Sequence, residues 1–148
     1  MQTVTSTDQI VETMIKMVRK FASDMDFCLD WPVEGVFIML SHLPYVVEPR
    51  ELNTQILQRP KLTLAHGPVK ACANKAICMA SWCLRKGFPW QFAVSANTKD
   101  GPFSHVFVIA KIEGVRVPLD CTYFWNVVGD ERKHARTKYY DWEKPNAT

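Results

Sequence analysis

The segment between Gly67-Pro68 and Gly87 constrains the fold of this chain more than any other. Residues Lys70 to Lys86 contain no glycine or proline, are rich in Ala and Cys, and are nearly uncharged in their middle. Alanine, leucine and arginine favour helix, and a glycine just past the last turn is a typical helix stop. Because a helix that is apolar on most faces is buried, we predict a central helix that the rest of the chain must cover.

Further helices are predicted before this segment. Ser6 and Gln9 have the spacing of a capping box, and the residues behind them are apolar at every third or fourth position. The run Val33 to Leu43, which follows Pro32, is predicted as a short buried helix, although a buried strand would give the same apolar run. The stretch Leu52 to Leu64 is mixed and polar, and Pro60 breaks it.

After Pro89 the apolar residues follow a period of two, which is typical of strands. One strand is predicted from Trp90 to Ser95, and two more at His105 to Ile112 and Val115 to Cys121. Glu113-Gly114 between the last two is typical of a two-residue hairpin turn. Pro118 inside the last run favours an edge strand or a bulge. Helices followed by an antiparallel sheet give an α+β fold.

Length and composition predict one globular domain. The chain has 148 residues, of which 47% are hydrophobic and 22% charged, enough for one core without disulfides. We divide the domain 1–148 into an N-terminal amphipathic helix region at 1–30, a core at 57–122 and a C-terminal extension at 123–148 with a frayed end.

Charge and the N-terminus exclude several classes of protein. A net charge of +3 is too small to predict a nucleic-acid partner, and the polar start and short apolar runs predict neither a signal peptide nor a membrane span. We therefore expect a cytoplasmic protein. The basic residues form two clusters, interpreted as a solvated helix end and a solvated tail, with an acidic partner as the alternative: Lys16, Arg19, Lys20; Arg132, Lys133, Arg136, Lys138.

The five cysteines are predicted to be reduced thiols. Their number is odd and no export signal is present. Cys72, Cys78 and Cys83 fall on one predicted helix, but about 100° per residue turns Cys78 away from the other two. Since there is also no CxxC pair, we expect no metal and no other cofactor.

The predicted hairpin brings a histidine to an aspartate. If Ile112 pairs with Val115, Phe107 lies opposite Asp120, and His105 is on the same face two residues away. A histidine held by a carboxylate is the orienting half of a nucleophilic triad.

Several side chains are candidates for the missing nucleophile. Cys72 is the best placed, because the N-terminal region of a helix favours a thiolate and offers N–H groups to an oxyanion. The alternative is that Cys72 is an inert packing residue. The other candidates are the remaining cysteines and Ser41, Ser81, Ser95 and Ser104.

Three short motifs, in order and at compatible spacing, resemble the transglutaminase-like superfamily of papain-related cysteine enzymes. They are Cys72 with Ala76 and the later Leu84-Arg85-Lys86-Gly87-Phe88-Pro89, then His105-Val106-Phe107, then Asp120-Cys121-Thr122. Leu57-Gln58-Arg59-Pro60 is similar to the approach to the cysteine in small stand-alone members from bacteriophage and bacterial genomes.

The resemblance, which covers about residues 57–122, implies a papain-like core in which a helix carrying Cys72 packs on adjacent strands carrying His105 and Asp120. It also implies acyl transfer on a protein or peptide substrate, most simply by a thiol protease or amide hydrolase. Transglutaminase-type cross-linking and a non-catalytic assembly or virion module are the alternatives. For a phage protein, the host cytoplasm or the virion would be its location.

The surroundings of Cys72 depart from the family pattern. Members of this kind often have Gly-Asp before the cysteine, whereas here Lys70 precedes it and Lys75 follows. These cations would lower the thiol pKa, attract an anionic substrate, or mark an inactive site. The superfamily also uses an upstream side chain at the oxyanion, for which Gln55, Gln58 and Trp31 are the candidates.

Overall fold

The computed structural model describes residues 6–44, 57–65 and 72–144, and within them the fold is α+β. Helices occupy the first part of the chain and one four-stranded antiparallel sheet, in the order β3-β2-β1-β4, the second. The elements are α1 (Thr7–Phe21), a 3₁₀ helix (Ala22–Cys28), α2 (Val33–Ser41), α3 (Pro60–Ala65), α4 (Cys72–Lys86), β1 (Trp90–Ala96), β2 (His105–Ile112), β3 (Val115–Leu119) and β4 (Arg136–Tyr139).

Helix α1 begins with the predicted capping box. The Gln9 amide donates to Ser6 Oγ at 3.2 Å, and the Ser6 amide donates to Gln9 Oε1 at 2.9 Å. Two of the amides that a helix start leaves without partners are thereby satisfied. The apolar stripe of α1 faces the core through its buried residues Ile10, Val11, Met14 and Val18.

The two proline-marked segments are both helical. Pro32 is the N-cap of α2, so the apolar run that follows it forms a helix and not a strand. Pro60 interrupts its segment as predicted, because residues 57–59 are irregular and Pro60 is the first residue of α3. Proline is tolerated there because the first helical N–H has no partner within the helix. Residues 52–56 lie outside the described part.

Helix α4 is the centre of the molecule, as predicted. Every residue from Cys72 to Leu84 is buried, and the helix packs against α1, the 3₁₀ helix and β2. It ends at Gly87, whose φ of 85° is left-handed. The amides of Gly87 and Phe88 donate to the carbonyls of Leu84 and Cys83 at 3.1 and 2.9 Å, which is a Schellman motif. The predicted start at Lys70 lies outside the described residues.

The β2–β3 hairpin has the predicted register. Glu113 and Gly114 adopt φ values of 53° and 79°, as a type I′ turn requires, and Ile112 pairs with Val115. Strand β3 lies at the edge of the sheet, where proline is tolerated because no neighbouring strand needs the N–H that Pro118 lacks. It ends at Leu119, however, so the prediction of a strand reaching Cys121 was wrong.

The C-terminal segment is attached to the sheet through residue 144. Residues 145–148, the end predicted to be frayed, lie outside the described part. Strand β4 pairs with β1, and Glu143 bridges to Trp90. Lys138 forms an ion pair with Asp8 at 2.7 Å, and Arg136 donates to two backbone carbonyls. Half of the presumed solvated tail is thus bound to the body of the protein. No helix in the described ranges is long and apolar enough to cross a bilayer.

Candidate active site

The three predicted site residues belong to or adjoin three different elements. Cys72 is the first described residue of α4, His105 is the first residue of β2, and Asp120 directly follows β3. Their exposed fractions are 1%, 9% and 4%, so all three side chains are shielded from bulk water. The turn at Glu113-Gly114 brings the last two together, because it fixes the register of the strands that lead to them.

The Asp120 carboxylate uses both oxygens. Oδ2 lies 2.8 Å from His105 Nε2, and Oδ1 accepts from the Thr122 amide at 3.2 Å and the Thr122 hydroxyl at 2.7 Å. The Asn126 side-chain amide donates to the Asp120 carbonyl at 3.0 Å. These bonds hold the aspartate at a point where the strand ladder has already ended.

His105 also interacts with Cys72. The thiol is close enough to the imidazole to help raise its pKa, and Cys72 Sγ lies 3.8 Å from the Ser104 carbonyl oxygen. The imidazole therefore interacts with both the carboxylate and the thiol. Such an arrangement allows a proton to be exchanged between sulfur and nitrogen.

His105 and Asp120 each stabilise the charged form of the other. Burial alone would lower the pKa of His105, but the Asp120 carboxylate and the Cys72 thiol raise it, to about 10. Burial would raise the pKa of Asp120, but His105 and the Thr122 hydrogen bonds keep it below its ordinary value. An ionised Asp120 accepts hydrogen bonds only, so His105 Nε2 is the donor of their bond.

The other four thiols are buried in the hydrophobic core. Burial raises the pKa of Cys28 to about 11 and that of Cys121 to about 12, and it raises the pKa of Cys83 as well. Cys121 is part of the core, as predicted. These thiols are poor candidates for a nucleophile, because the thiolate is the reactive form.

Aromatic rings surround His105 and lead away from it to the surface. Phe107 and Tyr123 stack with the imidazole at centroid distances of 5.8 and 6.4 Å, and Tyr123 stacks with Trp125 at 4.6 Å. His134 lies 5.7 Å from His105 between ring centroids. An open pocket of about 230 Å³ adjoins this stack and is lined by residues 41–44 and 122–125.

Lys75 lies in the interior of the protein. The alternative that it attracts an anionic substrate from solution requires a surface position. The exposed fraction of Lys75 is 0%. Its Nζ donates to the carbonyls of Thr122 at 2.8 Å, Leu43 at 2.9 Å and Ser41 at 3.4 Å. Burial lowers the pKa of Lys75. No pattern in the sequence marks three distant carbonyls as its partners, so sequence reasoning missed this contact. Lys70 lies outside the described residues.

Of the candidates for an oxyanion side chain, Gln58 is tied to the nucleophile helix. The backbone N–H of Gln58 donates to Asn74 Oδ1 at 2.8 Å, and its side-chain Oε1 accepts from the Thr63 hydroxyl at 3.4 Å. Trp31 packs edge-on against Phe27 and has 37% of its surface exposed. Gln55 lies outside the described residues.

The candidate serines are less suited to nucleophilic attack than Cys72. Ser41 and Ser81 donate to carbonyls of their own helices. Ser95 lies opposite His105 in the β1–β2 pairing, but it is fully buried, and its hydroxyl has no hydrogen-bond partner among the described residues. The Ser104 carbonyl, and not its hydroxyl, is the group near the Cys72 thiol.

Among residues 6–44, 57–65 and 72–144, no three His, Cys, Asp or Glu side chains converge as metal ligands would. The chain matches no family model, no curated protein and no solved structure. The transglutaminase-like resemblance therefore stays a prediction, and the candidate site depends on its own geometry.

Proposed function

We propose that this chain is a cysteine-nucleophile acyl-transfer enzyme of the transglutaminase-like, papain-related type, acting as a thiol protease or amide hydrolase. Cys72 is the nucleophile, His105 the acid and base, and Asp120 the residue that orients the imidazole. The observation that carries the proposal is His105 itself, which is bonded to the Asp120 carboxylate at 2.8 Å and lies close enough to the Cys72 thiol for the thiol to raise its pKa.

In the acylation half of this mechanism, the thiol and the imidazole exchange one proton. Nε2 of His105 donates to Asp120, so Nδ1 is the nitrogen that takes the proton from Cys72. The thiolate attacks the carbonyl carbon of an amide, and the C–N bond breaks as the imidazolium returns its proton to the leaving amine. A thioester on Cys72 and a free amine are the products.

In the second half, His105 removes a proton from the acceptor that attacks the thioester. Water as acceptor releases a carboxylic acid, whereas an amine gives a new amide and makes the reaction a transamidation. During both attacks the carbonyl oxygen becomes negative. The backbone N–H of Cys72, at the start of α4, is a donor for this oxyanion, and the helix dipole adds to its effect.

The first test is the rate of iodoacetamide alkylation of each cysteine against pH, measured by mass spectrometry. We expect Cys72 to react at a pH well below about 8.5, where an ordinary thiol is still protonated, because the imidazolium stabilises its thiolate. The buried Cys28 and Cys121 are internal references, since their raised pKa values keep them unreactive.

Two histidine variants complete this experiment. His105→Ala should return Cys72 to ordinary thiol behaviour, whereas His134→Ala, which removes the neighbouring ring 5.7 Å away, should leave its profile unchanged. A Cys72 that reacts like an ordinary thiol in wild-type protein would contradict the enzyme and favour the non-catalytic assembly module. Incorporation of a labelled amine into an acyl substrate distinguishes transamidation from hydrolysis.

A further inference from the structure

Lys75 is a cation that the fold has removed from water. An ammonium has three N–H donors, and its burial costs free energy unless all of them find acceptors. Thr122, Leu43 and Ser41 supply three backbone carbonyls at 2.8, 2.9 and 3.4 Å. Within the described residues these three carbonyls are enough to accept all three N–H donors, so the side chain is held in one position.

The carbonyls come from two segments that meet at α4. Ser41 and Leu43 belong to the end of α2 and the residues after it, and Thr122 belongs to the segment after β3. The Cys121 thiol lies 3.8 Å from the Lys75 carbonyl oxygen, so Lys75 contacts both residues that follow Asp120. The main chain just beyond Asp120 is thereby fastened to the helix that carries Cys72.

This attachment replaces support that the sheet does not give. Strand β3 ends at Leu119, so no ladder hydrogen bond fixes Asp120. Thr122 bonds to Asp120 Oδ1 through its hydroxyl and its amide, and Asp120 Oδ2 bonds to His105. A continuous series of hydrogen bonds therefore leads from Lys75 through Thr122 and Asp120 to His105.

We propose that Lys75 is a positioning residue that fixes Asp120, and through it His105, relative to Cys72. The role deepens the proposed function and rests on it. Lys75 follows Cys72 by three residues on α4, so the two side chains lie on the same side of the helix. A well-packed apolar side chain at this position would often stabilise the fold as much as a buried ammonium does. The specific contribution of the ammonium is therefore to hold the main chain beyond Asp120 in place through its hydrogen bonds.

The test is an NMR titration of the His105 imidazole in wild-type protein, Lys75→Met, Lys75→Gln and Leu84→Ala. Methionine has similar volume but no donors, and glutamine keeps one amide donor. We expect the proton affinity of His105 to fall by about tenfold or more in Lys75→Met, with a smaller fall in Lys75→Gln. Leu84→Ala creates a cavity at the far end of the same helix, so it should lower the Tm without changing the His105 titration.

The titratable groups close to Lys75 are Asp120, Cys72, Cys78 and Cys121. An unchanged His105 titration in folded Lys75→Met would overturn the proposal. So would loss of folding in both Lys75 variants, because it would assign Lys75 to stability alone.

Iodoacetamide alkylation of the same samples separates this proposal from that of the enzyme. One outcome is that wild-type Cys72 reacts as an ordinary thiol while Lys75→Met still lowers the proton affinity of His105. The enzyme proposal then fails, but Lys75 does support the His105–Asp120 pair. If Cys72 is reactive and Lys75→Met changes neither measurement, the enzyme proposal survives and the positioning role fails.

Discussion

The two halves of α4 are both buried as far as Leu84, yet their side chains make different contacts. In the first half, Cys72 contacts an imidazole and Lys75 holds three carbonyls. In the second half, Cys83 and Leu84 lie among apolar side chains, and the indole of Trp82 donates to the Cys28 carbonyl at 2.9 Å. Cys72 and Cys83 are 1% and 0% exposed. Two thiols that are equally shielded from water thus differ in their polar neighbours, and Cys72 is the one beside an imidazole.

The largest expected effect separates these two cysteines. Cys72→Ala should reduce the burst of p-nitrophenol from p-nitrophenyl acetate by roughly 10⁴-fold, to the background rate, because the nucleophile is lost. Cys83→Ala should keep the wild-type burst and lower only the stability. Equal bursts from the two variants would erase the distinction between the halves of α4.

Asp120→Asn tests whether the partner of His105 matters as much as the thiol. The amide is nearly isosteric, but it carries no charge and permits the wrong imidazole tautomer. We expect the rate of acylation to fall by roughly 10²- to 10⁴-fold. The Tm should fall as well, because the buried imidazolium loses its charged partner. A variant with wild-type rate would show that His105 needs no carboxylate.

Stability against pH should also distinguish the two halves. The pKa of folded His105 is raised to about 10, so its contribution is complete below about pH 6.5 and is lost as the pH rises toward 10. Asp120, whose pKa is lowered, contributes above about pH 4, and this is lost as the pH falls further.

Urea denaturation across this range measures both contributions. His105→Gln should flatten the alkaline decline of the free energy of unfolding. Trp82→Ala, in the half of α4 away from Cys72 and this pair, should lower the whole curve in parallel by about 3–5 kcal/mol. A parallel shift in both variants would show that the His105–Asp120 pair does not couple to folding.

The smallest effect is expected at Gly87, beyond the second half of α4. A side chain at φ 85° is strained, so Gly87→Ala should cost about 1–2 kcal/mol in stability. The reactivity of Cys72 should not change, since the strain arises at the opposite end of the helix. A changed alkylation profile would show that the two halves are mechanically coupled.

The local parts of the site could be predicted from the sequence. Glu113-Gly114 determines a two-residue turn, and the turn alone fixes the register that brings His105 to Asp120. The helix stop at Gly87 is equally local. In such cases a few neighbouring residues carry all the information needed.

The parts that depend on distant contacts could not be predicted. Strand β4 is short, polar and basic, so it resembled a solvated tail; its place is determined by the free edge of β1. Lys75 resembled a surface charge because its acceptors are backbone carbonyls, which any residue can supply. The end of β3 at Leu119 likewise follows from the contacts of Asp120 and Thr122, and not from their strand propensity.

Pro118 has a consequence for the behaviour of the protein at high concentration. It lies in β3, at an outer edge of the sheet, and has no N–H to offer to another chain. Its carbonyl already accepts from the Gly129 amide at 2.9 Å. An incoming strand would find neither donor nor free acceptor at this position, so the edge is protected against the strand addition that starts aggregation.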